Sequence, residues 1–207
     1  YGYGSVDEAY RKERSQLDLA SVTAQAHRPD LPPPDGRLAG TVAYHQAGFR
    51  RAAEAWDTYR ELTEAANEPG RFVTFPSFEW HSLRHGDHNV YFNGPASEII
   101  RAPNLDAMRV ELRQLRQQGV DTLLIPHHIG YLQGYRGLNW ADFSPEFSPV
   151  VEMFSMHGQA ESDDAPYPYM HTMGPRDERS TMQYGLRTGQ IFGVLGSTDH
   201  HSAFPGS

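Results

Sequence analysis

Arg71 to Phe92 reads RFVTFPSFEWHSLRHGDHNVYF. The aromatic and β-branched run at 71–80 predicts a strand, a polar turn follows, and His88 to Phe92 predicts a second strand. The same order, an apolar run and then histidine with carboxylate, recurs along the chain: LLIPHHIG at 123–130, VVEMFSMHG at 150–158 and VLGSTDHH at 194–201. Most of the eleven histidines fall just past such runs. In a sheet whose strands run parallel, residues that follow the strands converge on one rim, where an α/β fold assembles ligands from separate loops.

Outward from these strands the pattern alternates. Ser5-Val6-Asp7-Glu8 is a capping box that opens a helix to about Ser15, and Leu17 to Thr23 predicts a strand. A loop rich in proline at 28–37 leads to a long helix from about Val42 to Asn67. Asn104 caps a helix over Leu105 to Gln118 that Gly119 ends. The remaining expectations are a strand at Thr122 to Ile125, a loop from Pro126 to Pro149, a strand at Val150 to Phe154, a helix near Asp177 to Thr188 and a last strand at Ile191 to Leu195. Strands alternating with helices predict an α/β class with parallel pairing, and a partial β/α barrel in which a metal site sits at the carboxyl ends of the strands. The 207 residues suit a single domain over 1–207.

Composition narrows the partners. A net charge of −8 and a pI near 5.7 argue against nucleic acid or an anionic membrane as partner, since both reward clustered Lys and Arg. The expected partner is a small molecule, anionic if a metal attracts it. With no cysteine, any metal is held by nitrogen and oxygen. No run reaches the roughly 18 to 20 apolar residues of a membrane span, and the start lacks the features of a signal peptide, so a soluble, by default cytoplasmic, protein is expected. Oligomeric state is not legible.

The candidate ligands are Glu79, His88, His127, His157, Asp199 and His201. Glu79 ending one strand and His88 beginning the next can meet across a hairpin. His81 and His85 have the spacing of a zinc helix without the helix, since Gly86 interrupts, and stay outside the ligand set. Adjacent residues in extended chain point to opposite faces, so His127 is taken as a ligand and His128 as a proton-transfer group. Glu152 either reaches the rim or is a satisfied core carboxylate. Asp199 and His201, two apart, can point the same way toward a cation. Against each reading stands a plain one, a hydrogen-bonded loop histidine or a polar turn. The loop segments at 129–140 and 166–183 add Tyr131, Arg136 and Arg176 as substrate-binding candidates, with His171 nearby, because a guanidinium fork suits phosphate or carboxylate oxygens.

Taken together, Thr23, Glu79, His88, Ile-Pro-His at 125–127, His157 and Gly-Ser-Thr-Asp-His-His at 196–201 resemble the polymerase and histidinol phosphatase (PHP) superfamily. The phrases HNVYF, IPHHIGY and GSTDHHS are similar to a poorly characterised bacterial branch of it. The resemblance implies a distorted seven-stranded β/α barrel, a centre of one to three zinc, manganese or iron ions, and hydrolysis of phosphate esters. It makes Glu79 the bridging carboxylate, groups His88, His127 and His157 on the same metal, and gives Asp199 to the first metal and His201 to the third. It also implies an incomplete barrel, lacking a first strand that ends in His-x-His and the part beyond residue 207, with Gln25 standing where a ligand histidine is expected. Neutral Gln25 is a poor zinc ligand. The implied activity is that of a metal-dependent phosphoesterase in which a metal-activated water attacks phosphorus, His128 or His200 protonates the leaving oxygen, and Tyr131, Arg136 and Arg176 hold the substrate. The alternatives are hydrolysis of a carboxylic ester, amide or lactone on the same centre, and a metal-binding domain whose catalytic centre has decayed.

Overall fold

Ser5 accepts a hydrogen bond from the Glu8 amide at 3.2 Å and starts helix α1, Val6–Glu13, where the capping box places it. A computed structural model describes residues 4–94, 98–169 and 174–203, and His171 lies outside them. After α1 come β1 (Leu19–Ala20), β2 (Ala24–His27), α2 (Ala39–Glu54), α3 (Trp56–Ala66), β3 (Val73–Thr74), β4 (Ser77–Trp80) and β5 (Asp87–Asn93). Then follow α4 (Leu105–Gln117), β6 (Asp121–His127), β7 (Val150–Ser155), β8 (Gly158–Gln159), α5 (Met182–Arg187) and β9 (Gly193–Gly196). No helix among the described residues is long and apolar enough to cross a membrane.

Several boundaries move for identifiable reasons. The long helix at 42–67 is two helices, broken at Ala55, beyond which Trp56 turns inward and packs edge-on against Phe78 with ring centroids 6.0 Å apart. The strand at 71–80 is split around Pro76, which has no N–H to give a ladder. Residues 17–23 contribute only the two-residue β1, and the chain pairs again from Ala24. Pro126 lies inside β6 rather than after it, on a strand at the edge of its sheet, where a missing donor is tolerated. Asn104 caps α4 as its sequence predicts, accepting from the Ala107 amide at 2.9 Å.

The expected barrel does not form. The described strands make three separate sheets, β1-β3, β2-β4-β5-β6 and β8-β7-β9. β2 and β4 run parallel, as do β7 and β9, but β4-β5 and β5-β6 are antiparallel. The reversal at 81–86 explains why. Gly86 sits at φ 85°, where an added Cβ would lie 3.1 Å from the carbonyl oxygens of Arg136 and Gly137, and this tight turn sends β5 straight back along β4. A helical crossover, which parallel closure needs, is absent there.

The four-stranded sheet has two unlike faces. Phe78, Trp80, Val90, Phe92 and Leu124 point to one side and pack on Leu105, Met108 and Leu112 of α4, together with Trp56 and Phe147. Each such buried side chain contributes about 1.5–3 kcal/mol. The opposite face carries Gln25, Glu79, Asn89, Tyr91, Leu123, Ile125 and His127 and lines a cavity of about 950 Å³. Strand alternation therefore separates core from candidate site.

Glu13, at the end of α1, is 4 % exposed on this cavity, and its Oε2 has no hydrogen-bond partner among the described residues. Burial pushes its carboxyl up to about 7. The native state then holds a proton that the unfolded chain releases near pH 4.5, so stability falls as pH rises from about 4.5 through 7. Glu13→Gln should raise stability at pH 8 by about 1–3 kcal/mol and leave it unchanged at pH 5, read from paired denaturant melts.

Candidate metal centre

Four strand ends meet above the cavity. β4 supplies Glu79, β6 ends on His127 and passes into His128, the turn after β7 carries His157, and the chain after β9 carries Asp199. Glu79, His127 and His128 are 3 %, 2 % and 2 % exposed. Two groups of potential ligands result, Glu79 with His127 and His128, and His128 with His157 and Asp199; within each, the ligand atoms lie within 4.8 Å of one another.

Asp199 is the hub. Its Oδ2 lies 3.2 Å from His157 Nε2 and 3.6 Å from His128 Nε2, and its Oδ1 lies 3.4 Å from His201 Nε2 and 3.8 Å from His127 Nε2. His127 Nε2 is also 3.7 Å from Glu79 Oε1. Ligand atoms around a tetrahedral ion bound at about 2.0–2.2 Å stand about 3.3–3.6 Å apart; the 3.4 and 3.6 Å separations fall in that range, and all but the 3.2 Å contact to His157 are longer than an ordinary hydrogen bond. Glu79 Oε1, His128 Nδ1 and Asp199 Oδ2 are buried with no hydrogen-bond partner among the described residues, an arrangement that costs about 1–3 kcal/mol per group unless something else satisfies them.

Electrostatics follow from that crowding. Burial alone would lower His127, but the carboxylates of Glu152 and Asp199 overcome it and hold the imidazole well above its ordinary value. Burial and then the neighbouring His127 hold His128 well below. Burial would raise Asp199, yet His127, His157 and His201 around it keep it far below the usual carboxylate range. Glu152 is raised by burial, against the pull of His127. Its Oε2 lies 2.7 Å from His127 Nδ1, which leaves Nε2 aimed at Glu79 and Asp199. A carboxylate behind an imidazole in this way fixes the ring for a metal on its other nitrogen.

Backbone strain concentrates here. His128 (φ 58°), Arg136 (φ 77°) and Asp199 (φ 48°) are non-glycine residues in the left-handed region, each at a cost of about 1–2 kcal/mol. The turn at His128 departs from the divergence expected of adjacent histidines in extended chain: the rings of His127 and His128 lie with centroids 3.5 Å apart and planes inclined at 34°, and His128 joins both ligand groups.

A third group, Glu79, His81 and Asp87, has a different character. His81 Nδ1 lies 3.4 Å from Glu79 Oε1 and 3.4 Å from Asp87 Oδ2. Arg136 already occupies this corner, its Nε donating to Asp87 Oδ2 at 2.6 Å and its Nη2 lying 2.8 Å from His81 Nδ1. A guanidinium in place supplies the positive charge that a metal would, and repels one. His81 therefore stands beside the centre without a free nitrogen on that side, and His85 is farther out, its Nδ1 3.0 Å from Asp142 Oδ2.

Other candidates lie elsewhere. His88 is on the opposite face of β5, its ring 6.1 Å from Trp80 and its Nδ1 2.9 Å from the Gly86 carbonyl, and burial lowers it to about 4. β5 is antiparallel, so Asp87 and Asn89 face the site and His88 between them faces the core. His88→Leu should leave metal content per chain unchanged in elemental analysis, whereas a true ligand would lose it. Tyr131 is fully buried and stacks on Tyr169 at 4.5 Å, a core position rather than a substrate contact. Arg176 donates to the Asp163 carbonyl at 3.1 Å and bridges to Tyr131, bracing a loop. Arg136 is held by Asp87 rather than offered to a substrate. His200 lines the cavity, its Nδ1 accepting from the Ser202 amide at 3.0 Å, and His201 is 42 % exposed beside Asp199. The inward facing of Asp87 and the orienting role of Glu152 escaped sequence reading, since the unbroken burial of β5 from Asp87 to Val90 leaves no alternation to count.

Comparison with known proteins does not support the PHP resemblance: the family profile that matches is a different one, and the strands do not close a barrel. An uncharacterized protein of Chlamydia pneumoniae is 24 % identical over 157 residues, 73 % of this chain, which spans 25 % of that relative's length. The crystal structure of PsfC from Pseudomonas syringae PB-5123 superposes with a TM-score of 0.49 at 14 % identity, covering 95 % of this chain and 67 % of that one. The matching profile covers residues 6–137, and on that match the chain belongs to the family described as protein of unknown function DUF3604.

Proposed function

We propose that this chain is a metal-dependent hydrolase whose centre is built on Glu79, His127, His128, His157 and Asp199. The observation that carries the reading is Asp199 among four imidazole nitrogens at 3.2–3.8 Å, with buried atoms of Glu79, His128 and Asp199 that have no hydrogen-bond partner among the described residues. The donor set is imidazole and carboxylate, which suits zinc, manganese or iron. A divalent ion there supplies Lewis acidity and brings the pKa of a coordinated water toward neutrality. Glu152 orients His127, Arg136 neutralises Asp87 so that it does not compete for the ion, and His200, which lines the cavity, would give a proton to a departing oxygen. His128, expected as a proton shuttle, sits in both ligand groups and serves as a ligand instead.

The phosphoester expectation rested on the PHP resemblance, so the reading here is ester hydrolysis as a class. It is tested by elemental analysis of protein purified without chelator or histidine tag, followed by turnover of p-nitrophenyl esters of acetate and phosphate with and without chelator. At least one equivalent of metal and chelator-sensitive turnover are expected. No metal uptake removes the centre, and metal without turnover reduces it to a binding site, the decayed-domain reading.

A further inference from the structure

Next to the centre the cavity changes character. Its walls carry Leu19, Leu123 and Phe154, which are 63 %, 37 % and 39 % exposed because they face this open space rather than a packed neighbour. Arg51 is the sole lysine or arginine among the described residues on the lining, which also carries the carboxyl groups of Glu13, Glu79 and Asp199. Between wall and centre runs a polar row set by the sheet register, Gln25 opposite Glu79 and Glu79 opposite Asn89. Asn89 is 4 % exposed, its side chain hydrogen-bonds the Tyr91 hydroxyl, and its Oδ1 has no partner among the described residues; Gln25 Oε1 is likewise buried and has none among them. Amide oxygens in this state accept from an incoming N–H or O–H.

We propose that the substrate is a neutral carboxylic ester or amide with an apolar acyl body that fills this cavity and a hydrogen-bond donor that meets Asn89 and Gln25. The inference rests on the hydrolase reading for its chemistry and on the cavity for its ligand class. Water adds its oxygen to the carbonyl carbon, the bond from that carbon to the leaving oxygen or nitrogen breaks, and the leaving atom takes a water proton. A volume of about 950 Å³ is at the upper end of what encloses a drug-sized ligand. Apart from the imidazoles of His127, His200 and His201, a polyanionic substrate would find only Arg51 as a basic side chain among the described lining residues, and it would bring its charge beside Glu79 and Asp199.

The test compares p-nitrophenyl acetate, octanoate and phosphate on metal-loaded protein. Because each buried methylene favours binding by about fourfold, kcat/KM for octanoate should exceed that for acetate by at least about 10-fold, and Leu123→Trp should cut the octanoate-to-acetate ratio about 10-fold. Preference for the phosphate ester, with no dependence on acyl length, overturns the proposal. Binding of the neutral fluorophore N-phenyl-1-naphthylamine separates the two readings. Binding lost in Leu123→Trp, in a protein that hydrolyses nothing, sinks the hydrolase reading and supports the apolar ligand class; no binding and no chain-length effect sinks the ligand class itself.

Discussion

Asp199→Ala lowers the affinity of the proposed centre for zinc or manganese by about 100-fold or more, and chelator-sensitive hydrolysis falls with it. The size of the effect follows from geometry: one carboxylate reaches His127, His128, His157 and His201, so its removal takes an anionic ligand from the centre and the charge that draws those rings together. Asp199 also holds a left-handed backbone conformation that alanine tolerates poorly, so Asp199→Asn is the matched control, keeping shape while losing charge. Competition against a metal-sensitive dye measures both variants, and circular dichroism confirms that they fold. Equal affinity in wild type and Asp199→Asn would mean that the cluster is a hydrogen-bonded knot of histidines and not a metal site.

Arg136→Met should destabilise the fold by about 3–5 kcal/mol, the largest effect expected from a single change away from the proposed ligands. Asp87 is 1 % exposed and receives Arg136 Nε at 2.6 Å and the Ser82 amide at 3.0 Å. Burial would raise its carboxyl, and Arg136 and then His81 hold it far below the ordinary range instead. Without the guanidinium a bare carboxylate is left in the interior. Adding Asp87→Asn to Arg136→Met removes the orphaned charge while keeping an acceptor for Ser82, and should restore about half of the loss. Urea midpoints of the wild type, the two single variants and the double variant give the coupling. A cost below about 1 kcal/mol for Arg136→Met would show a solvated guanidinium and return Arg136 to the substrate-binding role that its loop position suggests.

Much of the local structure was legible because its cause is local. The capping box at Ser5 and the asparagine cap at Asn104 act within four residues, and both helices start where the sequence places them. Glu79, His127, His157 and Asp199 were identifiable because an apolar run ends beside each. What could not be read was the parity of β5. Both faces of the central sheet are covered, one by α4 and the other by the site, so Asp87, His88, Asn89 and Val90 are all buried and no alternation of polarity marks which face each takes. On that account His88, expected at the site, lies on the core face and Asp87 on the site face, where Arg136 holds it. The barrel failed for a related reason, since strand direction depends on whether a connection turns back or crosses over, and the turn at Gly86 reverses it within a few residues.

The sequence by itself determined which residue types could meet a cation, the absence of thiolate ligands, the principal helices and the strand ends that carry the histidines. Tertiary structure alone decided which of them meet. It turned His128 back onto His127 through a left-handed φ, tied Arg136 to Asp87 instead of leaving it for a substrate, placed Glu152 behind His127, and opened an apolar cavity beside the cluster. These depend on contacts between residues distant in the chain, 25 positions apart for Glu152 and His127 and 49 for Arg136 and Asp87, or on a backbone strain that distant packing sustains, and neither leaves a periodic trace along the chain.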